Sequence, residues 1–213
     1  MPQTAKEKRV VSAEQYQGLI APPPMLPSAS EFFDYQVEGL VDRKLATYGD
    51  ADPFRNRLPE KGFFLFVPPR PKVLDLNELM AHVELNGETG VNHLDIVDIT
   101  ATVEVPHSAH LLVDVEDGRA RLNVNAMVSR QNIANEKRNP YDAFRGIIHV
   151  ILFPMVLSHH CMYLVGSRCD GGLVGGRVPL LYLAGYTPVL NDFCEDSVVP
   201  VWGAPSAGSV IVP

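Results

Sequence analysis

Apolar positions Phe33, Val37, Leu40 and Val41 recur at helical spacing, with Leu45 and Tyr48 continuing the series, and predict a first helix. Ser28 stands where an N-cap belongs, Glu31 three residues on completes a capping-box pattern, and Gly49 supplies the expected stop. Gly62 to Val67 reads as an aromatic strand closed by Pro68-Pro69-Arg70-Pro71. Asp75 with Glu78 opens a second helix whose face carries Leu76, Leu79, Met80 and Val83, and Asn86-Gly87 is expected to close it.

Beyond residue 87 the period changes to two. Ile99 to Val105 and Leu111 to Val115 read as strands. Glu116-Asp117-Gly118 is the tight turn of an expected hairpin that returns through Arg119 to Asn125 on alternating Ala120, Leu122 and Val124. Residues 129 to 139 are polar and show no apolar period. Asn139-Pro140 then opens a third helix, in which Ala143, Phe144, Ile147, Ile148, Ile151 and Leu152 are so apolar that it belongs in the core; Pro154 ends it. Strands follow at Met162–Gly166, Val178–Ala184 and Pro188–Leu190. About three helices, with hairpins between and after them, predict an α+β fold with a mostly antiparallel sheet and not a doubly wound one.

The chain of 213 residues has the length of one generous domain, large enough to bury a core without disulfide or metal staples. We divide it into an N-terminal arm, residues 1–27, and a single domain, residues 28–213. Ala21-Pro22-Pro23-Pro24-Met25-Leu26-Pro27 excludes regular helix and reads as an extended strap over the domain, with a docking peptide as the alternative. A net charge of −7 with scattered basic residues argues against nucleic acid as a general partner. The apolar run Gly146 to Leu157 is too short to span a bilayer, and the basic N-terminus lacks the apolar segment of a secretory signal. Three cysteines, an odd number in no secreted framework, point to a reducing cytoplasm.

Reactive side chains are densest at Ser158-His159-His160-Cys161 and Arg168-Cys169-Asp170. A thiol needs a nearby cation or base to become a thiolate, so His159, His160, Cys161, Arg168 and Cys169 are the candidate catalytic residues. The bland alternative is a buried small thiol beside imidazoles satisfied by backbone. For Arg168 it is an ion pair with Asp170 or Asp192, and for Trp202 a core anchor. His107-x-x-His110 has a ligand-like spacing but lacks the acidic partner, and Cys161, Cys169 and Cys194 match no zinc knuckle, so no metal site is assigned. The glycine string from Gly166 to Gly176 lacks the Gly-Lys-Ser/Thr ending of a phosphate loop, and Ser206 fails the nucleophile-elbow pattern.

Gly146-Ile-Ile-His-Val, Gly166-Ser-Arg-Cys169, Val178-Pro-Leu-Leu-Tyr-Leu and Trp202-Gly-Ala-Pro-Ser-Ala-Gly-Ser together resemble an uncharacterised bacterial family, a domain of unknown function common in actinobacteria. The resemblance runs over residues 30 to 213. It implies a single-domain bacterial protein and brings no reaction, cofactor or catalytic residue. The cofactor is therefore left unknown. Two readings stand: a small-molecule-binding protein or enzyme with its pocket around residues 158–170 and 202–206, or a non-catalytic module that forms a homo-oligomer through the arm and an exposed apolar surface.

Overall fold

The computed structural model describes residues 28–95, 99–170 and 176–213. The expected arm, residues 1–27, and the middle of the glycine string, residues 171–175, lie outside the described residues. Among the described residues the fold is α+β, with two larger, mainly antiparallel sheets and a two-stranded one. One sheet has four strands in the order β1 (Leu65–Val67), β6 (His110–Glu116), β13 (Ser206–Ile211) and β7 (Asn139–Pro140), every pairing antiparallel. The seven-stranded sheet runs β12 (Trp202–Gly203), β8 (Cys161–Tyr163), β10 (Arg177–Ala184), β11 (Thr187–Cys194) and β4 (Val91–Asn92). In it β9 (Ser167–Cys169) bridges β10 to β5 (Ile99–Ala101). Two of its pairings, β11 with β4 and β12 with β8, are parallel.

Between the sheets lies α5 (Ala143–Leu152), packed against β1 on one side and β10 on the other. All ten of its residues are buried, so its apolar all-round sequence is that of a helix with no solvent face. Asp142, not Asn139-Pro140, caps it by accepting from the Arg145 amide; the proline is part of β7. The helix nonetheless carries Arg145 and His149 one turn apart on one face. The Arg145 Nε donates to His110 Nε2 at 3.2 Å, and His149 sits 3.4 Å from the Tyr141 hydroxyl with the Phe63 ring stacked on it at 5.5 Å. Burial pushes both His110 and His149 down to about 4.

The first helix, α1 (Ala29–Asp42), begins with the capping box of Ser28 and Glu31, as its sequence predicts. It ends seven residues before Gly49. Lys44 takes the left-handed conformation (φ 60°), and the Lys44 and Leu45 amides return to Val41 and Leu40 carbonyls. Thr47 then caps a separate short α2 (Tyr48–Ala51). Buried Gln36 of α1 donates to the Phe64 carbonyl and accepts from the Phe66 amide, which closes the open edge of β1.

Asp75 caps α3 (Leu76–Ala81) as expected, but Asn86-Gly87 does not close this helix. Both residues have positive φ and form the turn of the hairpin β2 (Glu84–Leu85) and β3 (Glu88–Thr89). Two further expectations fail. Arg119 to Asn125 does not return as a strand; Gly118 (φ 112°) leads into a 3-10 turn, Arg119–Arg121, and β6 pairs with β1 and β13 instead. The polar stretch from residue 129, which shows no apolar period, holds most of α4 (Ala126–Asn135), capped by Asn125 and packed through buried Ala126, Ser129 and Ile133. No helix among the described residues is long and apolar enough to cross a membrane.

Candidate functional site

A cleft of about 480 Å³ opens where the end of β6, the 3-10 turn and the segment after α4 meet. Its shape starts from two backbone features. Asp114 takes a left-handed conformation (φ 55°) within β6, across from Gly208, where a Cβ would lie 2.7 Å from its Oδ2. Glu116 then grips the turn: its Oε1 accepts from the Gly118 amide at 2.9 Å and the Ala120 amide at 2.8 Å. That capping interaction replaces the strand return expected from the alternation, because it fixes the chain into a tight helical turn.

The turn delivers Arg119 and Arg121 to the cleft, and the residue run after α4 delivers Glu136 and Arg138. Arg121 is nearly enclosed, with its side chain 8% exposed. Its Nη1 donates to Glu116 Oε2 at 2.6 Å and to Ser206 Oγ at 3.3 Å, and its Nη2 to Glu136 Oε2. The Nε is buried and has no partner among the described residues. Arg138 donates from Nε to the same Ser206 Oγ at 2.9 Å and from Nη1 to Asp114 Oδ2 at 2.6 Å. Two guanidinium groups therefore converge on one buried serine hydroxyl of β13.

Burial raises the Glu116 carboxyl above its usual range, and neighbouring Asp117 adds to the effect, while backbone donors and Arg121 oppose it. For Asp117 burial also works upward, but His160, Arg119 and His149 outweigh it and hold the carboxyl below its usual range. The Arg119 Nε stands 3.1 Å from Asp117 Oδ2. Such an array of fixed donors beside half-exposed carboxylates can hold a carboxylate or phosphoryl group through paired N–H bonds.

The five residues singled out from sequence occupy three successive elements, and only one meets this cleft. His160 lies beneath it, donating from Nε2 to the Asp117 carbonyl at 2.8 Å; burial lowers its basicity, and its Nδ1 has no partner among the described residues. His159 ends the 3-10 turn Pro154–Ser158 and is half-buried. Cys161 begins β8 against Trp202 of β12, and burial pushes its thiol up to about 11 despite a hydrogen bond from Trp202. Arg168 and Cys169 lie on β9; Arg168 is exposed and pairs with Glu195 at 3.3 Å, neither with Asp170 nor with Asp192, and Cys169 is buried opposite Arg177. Trp202 packs edge-on against Tyr163 and Phe193 at 5.0 and 4.5 Å, as a core anchor would.

His107 and His110 do not converge. His107 is exposed in a loop, while His110 is buried on β6 against Arg145. Among the described residues no three His, Cys, Asp or Glu side chains are grouped to hold a metal ion. Sequence reasoning missed Arg121, Glu136 and Arg138. The signal available for Arg121 was the pair of acids followed by two arginines from Glu116 to Arg121, which the hairpin reading took as ordinary turn chemistry.

No curated protein and no solved structure matches the chain. A family pattern matches residues 32–191, a span that holds the 3-10 turn, all three cleft arginines and all five sequence candidates, and leaves out Trp202 and Ser206. That span is well over half of the chain, which therefore belongs to the family of unknown function DUF5701.

Proposed function

We propose that this protein binds a small acidic molecule, through a carboxylate or phosphoryl group, in the cleft at Arg121 and Arg138. One observation carries the reading: the Arg121 guanidinium lines an open cleft, is nine-tenths enclosed, and has an Nε without a partner among the described residues. Buried donors are almost always satisfied, because an unmet one costs about 1–3 kcal/mol, and more when charged. A ligand oxygen at this place would remove that cost. Of the five sequence candidates, His160 supports the reading most directly, since it holds the Asp117 carbonyl under the cleft. The three unbridged thiols support a reducing, cytoplasmic setting.

Calorimetric titration of the full chain with inorganic phosphate, acetate and succinate tests this reading. Heat of binding for at least one of them, lost in Arg138→Met, is expected. Absence of binding to all three at millimolar concentration overturns it. A second reading, self-association, draws support from Phe193, Val198 and Val201, which are 42%, 55% and 51% exposed around the Trp202 anchor. Light scattering decides it: a monomer at high concentration removes this reading and leaves the first untouched.

A further inference from the structure

Resting on that reading, we infer that Glu136 is a tethered stand-in for the ligand's acidic group, and that the ligand displaces it by taking the Nε and Nη2 edge of Arg121 with two oxygens. A guanidinium presents Nε–H and one Nη2–H side by side, a fork matched to the two oxygens of a carboxylate or phosphoryl group. Glu136 meets this fork with a single oxygen, Oε2 on Nη2, and leaves the Nε empty.

The same protein shows what a filled fork looks like. The Nε and Nη2 of Arg177 hold Asp192 Oδ2 and Oδ1 at 2.5 and 2.7 Å. At Arg138 both positions are also taken, by Ser206 Oγ and the Asp114 carbonyl. Arg121 alone of these three has half a fork free, with no hydrogen-bond partner on that half among the described residues.

The two carboxylates on Arg121 differ in how easily they leave. Glu116 is held by two backbone amides and by Nη1, deep against the turn. Glu136 is the C-cap residue of α4, and its side chain is 50% exposed. Releasing a half-solvated carboxylate to water costs little, so an incoming acid exchanges one contact for two at the same guanidinium. The occupant of this site is accordingly a small molecule with a free carboxylate or phosphoryl group. Glu136 sets the threshold concentration at which it binds.

The test compares the full-length chain with Glu136→Gln in titrations with inorganic phosphate and with succinate, which separate the phosphoryl from the carboxylate source. Glutamine keeps the shape of Glu136 and removes its charge, and its exposed position keeps the fold intact, which a melting curve verifies. The substitution is expected to tighten binding of the preferred probe by about three- to tenfold, the range spanned by losing one partly exposed competing ion pair. Arg121→Lys, which keeps the charge but not the fork, is expected to weaken it more than about tenfold. Should the lysine variant fail to fold, the glutamine variant decides alone.

Binding by Glu136→Gln that equals the wild type overturns the inference while leaving the cleft as the binding site. Weaker binding overturns it as well, since Glu136 would then be holding Arg121 in place for the ligand and not competing with it. If neither protein binds either probe, the inference falls, and if acetate does not bind either, the proposed function falls with it.

Discussion

Replacing Gly203 with alanine tests how the turn beneath the cleft is held. A Cβ at Gly203 would lie 2.0 Å from the Gly118 carbonyl oxygen and 2.7 Å from its carbon, backbone atoms that cannot rotate away. Carbon and oxygen in ordinary contact stand about 3.3 Å or more apart, so β12 and the Asp117–Gly118 turn must separate by more than about 1 Å. His160 Nε2 donates to the Asp117 carbonyl at 2.8 Å, and a separation of that size takes the bond past hydrogen-bonding range. Strain of about 1–3 kcal/mol, with about 0.5–1.5 kcal/mol for the lost bond, predicts a destabilisation of about 2–4 kcal/mol. For a domain of this size the melting temperature falls by about 5–15 °C. Gly185→Ala is the control: it has positive φ (66°) and nothing within 4 Å, so it carries only the left-handed penalty of about 1–2 kcal/mol. Urea unfolding followed by far-ultraviolet circular dichroism measures both, since the fluorescence of Trp202 adjoins the substitution. A Gly203→Ala protein within about 0.5 kcal/mol of wild type would refute the close-approach argument.

Two more expectations follow from burial. His110 and His149 are held near 4 when folded, against 6.5 when unfolded, so between those values the unfolded chain binds more protons. Stability is complete above pH 6.5 and falls as the pH drops, by about 2 kcal/mol per histidine between pH 7 and pH 5; a flat profile of urea midpoints over that range would contradict their neutral burial. Cys194 is exposed, Cys169 is buried and the Cys161 thiol is pushed up to about 11. A disulfide reagent is expected to titrate one thiol rapidly in the native protein and the other two after denaturation, with the fast phase absent in Cys194→Ser; fast reaction at Cys161 would restore it as a nucleophile candidate.

Much of the fold was legible because it is locally encoded. The Ser28–Glu31 box and the Asp75 cap each act over three residues, and both start helices where the sequence predicts. The strands at residues 177–184 and 187–194 were also foreseen, in part, from their β-branched and aromatic content. Errors arose where a local pattern had two physical outcomes. Asn86-Gly87 suits both a helix end and a two-residue hairpin, and the hairpin won because β3 found its partner in β2. Alternation after Gly118 suits a strand, yet the Glu116 carboxylate captured the two amides that a strand would have offered. Helix α4 was hidden because it is solvated on most of its surface and shows little apolar period; buried Ala126, Ser129 and Ile133, the Asn125 cap and the bonds of Arg130 to Val165 and Glu195 hold it.

By itself the sequence determined the α+β class, the capped starts of α1 and α3 and the burial of the Ala143–Leu152 helix, all set by periodicity and by contacts a few residues long. The candidate site was decided only by tertiary structure. Ser206 is 85 positions from Arg121 and 68 from Arg138, yet its hydroxyl accepts from both, and Glu136 reaches Arg121 across the α4 helix. Charged side chains have no periodic signature of their partners: an arginine reads alike whether it faces water or closes a cleft. Which it does depends on the distances that sheet pairing imposes, here the antiparallel register that sets Ser206 opposite Glu116.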